Sequence, residues 1–194
     1  AARLLSERAD PRLIRVVPRM VDTRLFQPPS VELALDDVKT VAFLGGREGG
    51  ARSLAVVATV KALLQKLPDC RVLVLGTPSR AEKQLVEELG RRGLMERVVP
   101  VDVSVHGELV QALCAAHVVV VPAGAEGDVY GLPHRALEAM ACGRAVVVTG
   151  AEASYKDVVQ NGLHARVVAA NAPDEIAGAI KALLDDDVAR GALA

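Results

Sequence analysis

Aromatic residues make up only 2% of this 194-residue chain, and tryptophan is absent. Phe26, Phe43, Tyr130 and Tyr155 are too few and too scattered to build a stacking platform for single-stranded bases. Formal net charge is −1, so no excess of one sign points the whole chain at a nucleic acid or a membrane surface. The three cysteines, Cys70, Cys114 and Cys142, are odd in number and far apart. They fit neither a disulfide framework nor a zinc site, and read as reduced core thiols of a cytoplasmic protein. No apolar run approaches the length of a membrane span, and the N-terminus is charged rather than a signal segment. The chain begins at Ala1 without a methionine, which reads as a piece of something longer.

What is abundant is aliphatic. Half of the chain (51%) is apolar, in short β-branched runs that alternate with helical spacing. Leu13–Pro18, Lys39–Gly45, Arg71–Gly76, Arg97–Val101, His117–Ala123 and Arg144–Gly150 read as strands, with Ala165–Val168 a short addition at the edge. Their near-continuous hydrophobicity suits a parallel sheet covered on both faces. Arg52–Leu67, Arg80–Arg92, Glu108–Ala115, Pro133–Ala141 and Pro173–Asp185 carry helical periodicity. This alternation predicts an α/β fold, a doubly wound, mostly parallel sheet of about six strands whose ligands bind beyond the strands' carboxyl ends. One domain over 1–194 is expected, with 1–37 as a lead-in segment and connector.

Two loops carry chemistry. In GGREGGAR, Gly45 to Arg52, four glycines let backbone approach a ligand, and Arg47 and Arg52 bring guanidinium forks that match phosphate oxygens. The loop lacks the closing Lys-Ser/Thr of a Walker A loop and the GxGxxG spacing of a dinucleotide fingerprint. From residues alone, a flexible turn with solvated arginines stands equally well. The second loop is the elbow of YGLPHRALEAMACGRAVVVT, Tyr130 to Thr149. Backbone amides around Gly131, Leu132 and His134 begin a helix at Pro133, and such a start with its dipole suits a phosphate. Glu138 lies just over one turn into that helix, where a ribose could be held. The same spacing also makes Glu138 a surface ion-pair partner of His134 or Arg135. Both readings stay open on spacing alone.

The ordered motifs resemble the C-terminal, nucleotide-sugar-binding domain of GT-B glycosyltransferases, specifically the group 1 retaining family (family 4). The likeness runs along almost the full length. VVPRMVDTRLFQP is similar to the family's V-I-P-N-G-V-D-x-x-x-F-x-P, and GR followed by four residues and Arg52 is similar to G-R-x4-K. KLPDCRVLVLG, GLMERVVPVD, VVVVPA and VVQNGLHARVV follow in the family's order. GLPHRALEAMACGRAVVVT resembles the G-L-P-x-x-x-x-E-A-M-A-x-G-x-P-V-V-x-T block.

That resemblance implies roles. Gly46, Arg47 and Arg52 would meet the donor diphosphate, with Arg52 in place of the usual lysine. Gly131, Leu132 and Pro133 form the elbow whose amides would meet the sugar or its phosphates. Ser104, with Val103, would border the base. Glu138 is the second glutamate of E-x7-E and would accept hydrogen bonds from the ribose hydroxyls. Tyr130 falls where the family places the first glutamate, so a neutral phenol stands where a carboxylate would hold the donor sugar. Arg19-Met20 and Ala123 replace the usual Asn-Gly and Ser/Thr. The implied partners are a UDP-, GDP- or ADP-linked sugar and an N-terminal acceptor domain absent from this chain. No cofactor and no metal is implied, and Asp185–Asp187 reads as a solvated helix end.

Two further readings stand beside this one. A non-catalytic interaction or regulatory module keeps the fold, and Tyr130 favours it. A dinucleotide-dependent enzyme lacks the glycine fingerprint and an acidic residue after the second strand.

Overall fold

The computed structural model of the protein describes residues 10, 12, 20–29, 38–44, 51–122, 134–150 and 159–194. Strands β1 (Thr40–Leu44), β2 (Arg71–Gly76), β3 (Val98–Asp102), β4 (Val118–Pro122), β5 (Ala145–Thr149) and β6 (Arg166–Val168) alternate with helices. These helices are α1 (Ala51–Lys66), α2 (Arg80–Arg91), α3 (His106–Cys114), α4 (His134–Ala141), α5 (Pro173–Asp185) and α6 (Asp187–Ala192). The strands form one sheet in the order β3-β2-β1-β4-β5-β6, every neighbour pair parallel. The expected strand at Leu13–Pro18 lies outside the described residues.

Side-chain alternation along each strand splits the core into two layers. Val41, Phe43, Val72, Val74, Val118, Val120 and Val147 face one side, under Val57, Val60 and Leu63 of α1, Leu85 and Leu89 of α2, and Ile176 and Ile180 of α5. Ala42, Leu44, Leu73, Leu75, Val119, Val121, Val146 and Val148 face the other, under Leu109 and Leu113 of α3 and Ala136 and Ala139 of α4. Both faces are covered, which is why valine runs without polar alternation mark these strands. Each fully buried Val, Leu or Phe contributes roughly 1.5–3 kcal/mol relative to exposure.

The edge strand β3 is handled differently. Arg97 O accepts from Val72 N and Val103 N donates to Gly76 O, so the odd residues of this strand bond to β2. Pro100 falls between them, where its missing N–H faces the open edge and costs no ladder bond. Exposed Val99 and Pro100 therefore mark a border rather than a defect.

Two details go beyond the sequence expectation. Asp185–Asp187 is the exposed end of α5, as expected, and it also carries ion pairs and a cap. Asp185 pairs with Lys39 at 2.7 Å and also with Lys181, while Asp187 pairs with Arg190 at 2.7 Å. Asp186 accepts from Ala189 N at 2.9 Å and caps α6, an extra short helix. Likewise, part of the connector is core. Asp22 O accepts from Phe26 N at 2.9 Å in a turn that buries Phe26 among the α3 and α4 layer.

Candidate functional site

The order 3-2-1-4 reverses direction of winding between β1 and β4, and a crevice opens beyond the carboxyl ends of the strands at such a point. A cavity of about 510 Å³ occupies this end of the sheet. Leu44 ends β1 at its floor, and Leu75, Gly76 and Thr77 close β2 beside it. Val103, Ser104 and His106 come from the β3–α3 loop, and His134, Arg135 and Glu138 from α4.

The β3–α3 wall is fixed by local bonds. Val103 N donates to Gly76 O at 2.8 Å, pinning the loop to the end of β2. Ser104 donates to Asp102 Oδ1 from its amide at 2.9 Å and from its hydroxyl at 2.5 Å. These bonds, the hydroxyl's first, hold the Asp102 carboxyl below its usual range. With its donors engaged, Ser104 presents acceptor lone pairs and backbone to the cavity. His106 packs its ring at 66° and 6.4 Å from buried Phe26, so the lead-in segment props one side of the cavity mouth.

The opposite wall is α4. Ala136 and Ala139 are fully buried against the sheet, and their small size lets the helix lie close. Its end is sharply set. Gly143 has φ of 65°, Gly143 N donates to Met140 O at 2.9 Å, and Arg144 N donates to Ala139 O at 3.1 Å. This paired arrangement satisfies the last carbonyls and needs a residue at ease in left-handed backbone. Gly143 is therefore a physical stop for α4.

Glu138 is the decisive side chain, only 3% exposed. A buried carboxylate must be paired. Arg135 Nη1 donates to Oε2 at 2.8 Å, and His134 Nε2 stands 3.5 Å from Oε1. The latter distance is long for a hydrogen bond, so Oε1 is the less engaged oxygen. His134 Nδ1 is buried and has no hydrogen-bond partner among the described residues. Thus the Arg135–Glu138 ion pair that spacing allowed does form, but in a pocket rather than on a solvated face.

Of the residues expected at the site, Ser104 and Glu138 meet on the walls of this one cavity. Arg52 falls in the first turn of α1, which follows β1. Gly46, Arg47, Tyr130, Gly131, Leu132 and Pro133 lie outside the described residues. Sequence reasoning missed Gly76, Thr77 and His106 as lining residues. The signal was available for the first two, since a ligand crevice lies at the carboxyl end of each central strand. A larger groove of about 800 Å³ runs along β6, α5 and α6. It is lined mainly by alanine, valine and glycine, and its Asp186 is committed as a helix cap. Among the described residues, no cluster of His, Cys, Asp and Glu is arranged to hold a metal ion. No described helix is long and apolar enough to cross a membrane.

Comparison with known proteins gives this geometry a context. The family model described as "Glycosyl transferases group 1" matches residues 39–186. D-inositol 3-phosphate glycosyltransferase of Mycobacterium sp. (strain KMS) is 35% identical over 167 residues, covering 80% of this chain and 36% of that protein. The chain thus spans little more than a third of the length of such relatives. Among solved structures, the C-terminal domain of a group 1 family glycosyl transferase from Francisella tularensis has a TM-score of 0.72 at 20% identity, over 90% of this chain and 92% of that one. Anabaena HepE, solved in complex with UDP, has a TM-score of 0.74 at 18% identity, over 97% of this chain and 52% of that one. At those identities the likeness establishes the shared fold.

Proposed function

The chain belongs to the group 1 glycosyl transferases, and from that premise we propose that it is the donor-binding half of a two-domain retaining enzyme. The donor is a sugar linked to UDP, GDP or ADP, and the acceptor is bound by a separate N-terminal domain. The observation that carries the reading is Glu138: a buried carboxylate facing a cavity at the strands' carboxyl ends, across from the β3–α3 loop. A vicinal diol is a natural partner for such a group. The UDP complex of the Anabaena neighbour supports a nucleoside diphosphate as ligand class.

In this scheme the ribose hydroxyls donate to Glu138, and the base rests against Val103 and the backbone around Ser104. Hydrogen bonds to a charged acceptor contribute roughly 1.5–3 kcal/mol each. Arg47 and Arg52 grip the diphosphate, joined by the amides of the Tyr130–Leu132 elbow and the positive end of α4. As the bond from sugar to diphosphate breaks, negative charge grows on the leaving oxygen. Fixed cations and aligned amides stabilise that charge without reorganising, which is a large source of rate. No cofactor or metal takes part in this scheme, because the arginines and the helix end supply the neutralising charge. We place the protein in the cytoplasm, where its three buried thiols would stay reduced.

Tyr130 motivates a second reading. Where a carboxylate would orient the donor sugar, the phenol is neutral and bulkier, and a nucleotide-binding module without transfer activity would tolerate it. The full-length protein incubated with a panel of nucleotide sugars separates the two. Release of nucleoside diphosphate with transfer or hydrolysis is the expected result. A folded protein that binds nucleotide and releases none would leave the regulatory reading.

A further inference from the structure

The family pattern leaves Arg135 unassigned, yet Arg135 is the residue that pairs with the Glu138 carboxylate. Its Nη1 sits 2.8 Å from Oε2, and the side chain lines the same cavity while remaining 40% exposed. Among the described residues one of its five guanidinium N–H groups makes this bond, and a guanidinium has further donors with which to meet a second acceptor. Arg135 also lies one helical turn before Glu138, toward the N-terminal end of α4. That is the end where backbone dipoles favour an anion.

A vicinal diol that takes both oxygens of Glu138 must compete with this guanidinium at Oε2. A bare nucleoside bound in that way displaces Arg135 and leaves its charge without its partner. A nucleoside carrying a 5′-phosphate offers the displaced guanidinium a new anion toward the start of the same helix. We infer that Arg135 is a specificity-determining residue that exchanges partners, from the Glu138 carboxylate to the ligand's 5′-diphosphate, and so selects phosphorylated nucleosides over bare ones. The inference rests on the proposed nucleotide site and adds to it a discrimination mechanism absent from the family motif. His134 assists from the other side. Its Nε2 lies 3.5 Å from Oε1, so the carboxylate keeps a polar neighbour after Arg135 leaves.

The test measures binding of uridine, guanosine and adenosine against UDP, GDP and ADP by calorimetry, on the 194-residue chain and its variants. For the base that binds, Arg135→Ala is expected to weaken the diphosphate about tenfold, in line with loss of one charge-assisted contact. The same variant should leave the nucleoside unchanged or bind it more tightly, since Glu138 is released. Arg135→Gln keeps an N–H donor for the buried carboxylate and removes the charge. It guards against a folding defect and must show the same split. Equal weakening of nucleoside and diphosphate, or no effect on either, would overturn the proposal. Glu138→Gln separates this from failure of the underlying site: if it leaves nucleoside binding untouched, Glu138 does not hold the ribose, whatever Arg135 does.

Discussion

Exchanging one partner of the Glu138–Arg135 pair for a neutral residue should have very different consequences depending on which partner is removed. Glu138 is 3% exposed and Arg135 is 40% exposed. Removing one member of a fully buried pair costs about 3–5 kcal/mol, because the other charge is stranded. Arg135→Ala strands the buried member. The cavity admits water to one side of the carboxylate, and His134 Nε2 remains 3.5 Å from Oε1, so the expected cost is reduced to about 2 kcal/mol. Glu138→Gln strands only Arg135, which rotates into solvent, and its cost stays under about 1 kcal/mol. For a chain of this size those values correspond to a fall in Tm of roughly 4–8 °C for Arg135→Ala and at most about 4 °C for Glu138→Gln. The double variant supplies the sharper check. With the buried charge gone, Arg135→Ala/Glu138→Gln should be more stable than Arg135→Ala alone, a coupling of the kind expected for residues in contact. Urea unfolding followed by circular dichroism measures all three. A Glu138→Gln variant as destabilised as Arg135→Ala, or a double variant less stable than both, would refute the view that burial sets the energetics of this pair.

Two other perturbations follow from local geometry. Gly143→Ala forces a side chain into backbone with φ of 65° and places its Cβ 3.2 Å from Pro28 Cγ. It should cost about 1–2 kcal/mol, whereas Gly107→Ala, with nothing within 4 Å of its Cβ, should gain up to about 1 kcal/mol as a helix residue; thermal unfolding that finds the two alike would contradict this. His117 Nδ1 accepts from Thr40 N at 3.1 Å and so is held neutral, with burial and then the charges of Arg190 and Arg144 pushing its pKa below 6.5. The unfolded chain binds that proton more readily, so this contribution to stability is complete above pH 6.5 and lost as pH falls from there through the folded value. His117→Gln should flatten the acid-side slope of stability measured by urea titration, and an unchanged slope would exclude His117 as its source.

The fold was legible because its signal is dense. Uninterrupted valine in β4 and β5 requires cover on both faces, and the helical stretches between strands supply it. The short helix α6 was not legible, since three consecutive aspartates look like solvated surface until the backbone of Asp186 is known to point its carboxylate at Ala189 N. Phe26 was hidden for a related reason: a single aromatic in a proline-rich connector gives no periodicity to mark it as core. In the site, the spacing of Arg135 and Glu138 correctly paired them. It could not reveal that the carboxylate is buried, because i,i+3 and i,i+4 contacts look identical on a surface and in a pocket. Burial is a property of the helix's seating, set by Ala136, Ala139 and Gly143 against the sheet. Likewise Ser104 and Glu138 are 34 residues apart in sequence, and only the strand order brings the loop after β3 and the helix after β4 to opposite walls of one cavity.

The most direct test of the nucleotide site is an NMR titration of the isotope-labelled chain with UDP, GDP and ADP. One of the three should bind and shift the amides of Gly76, Thr77, Val103, Ser104 and Glu138 together, and Glu138→Ala should weaken that binding at least tenfold through loss of contacts worth roughly 1.5–3 kcal/mol each. Saturable binding of none of the three, or binding that Glu138→Ala leaves intact, would contradict the assignment of this cavity as the donor site.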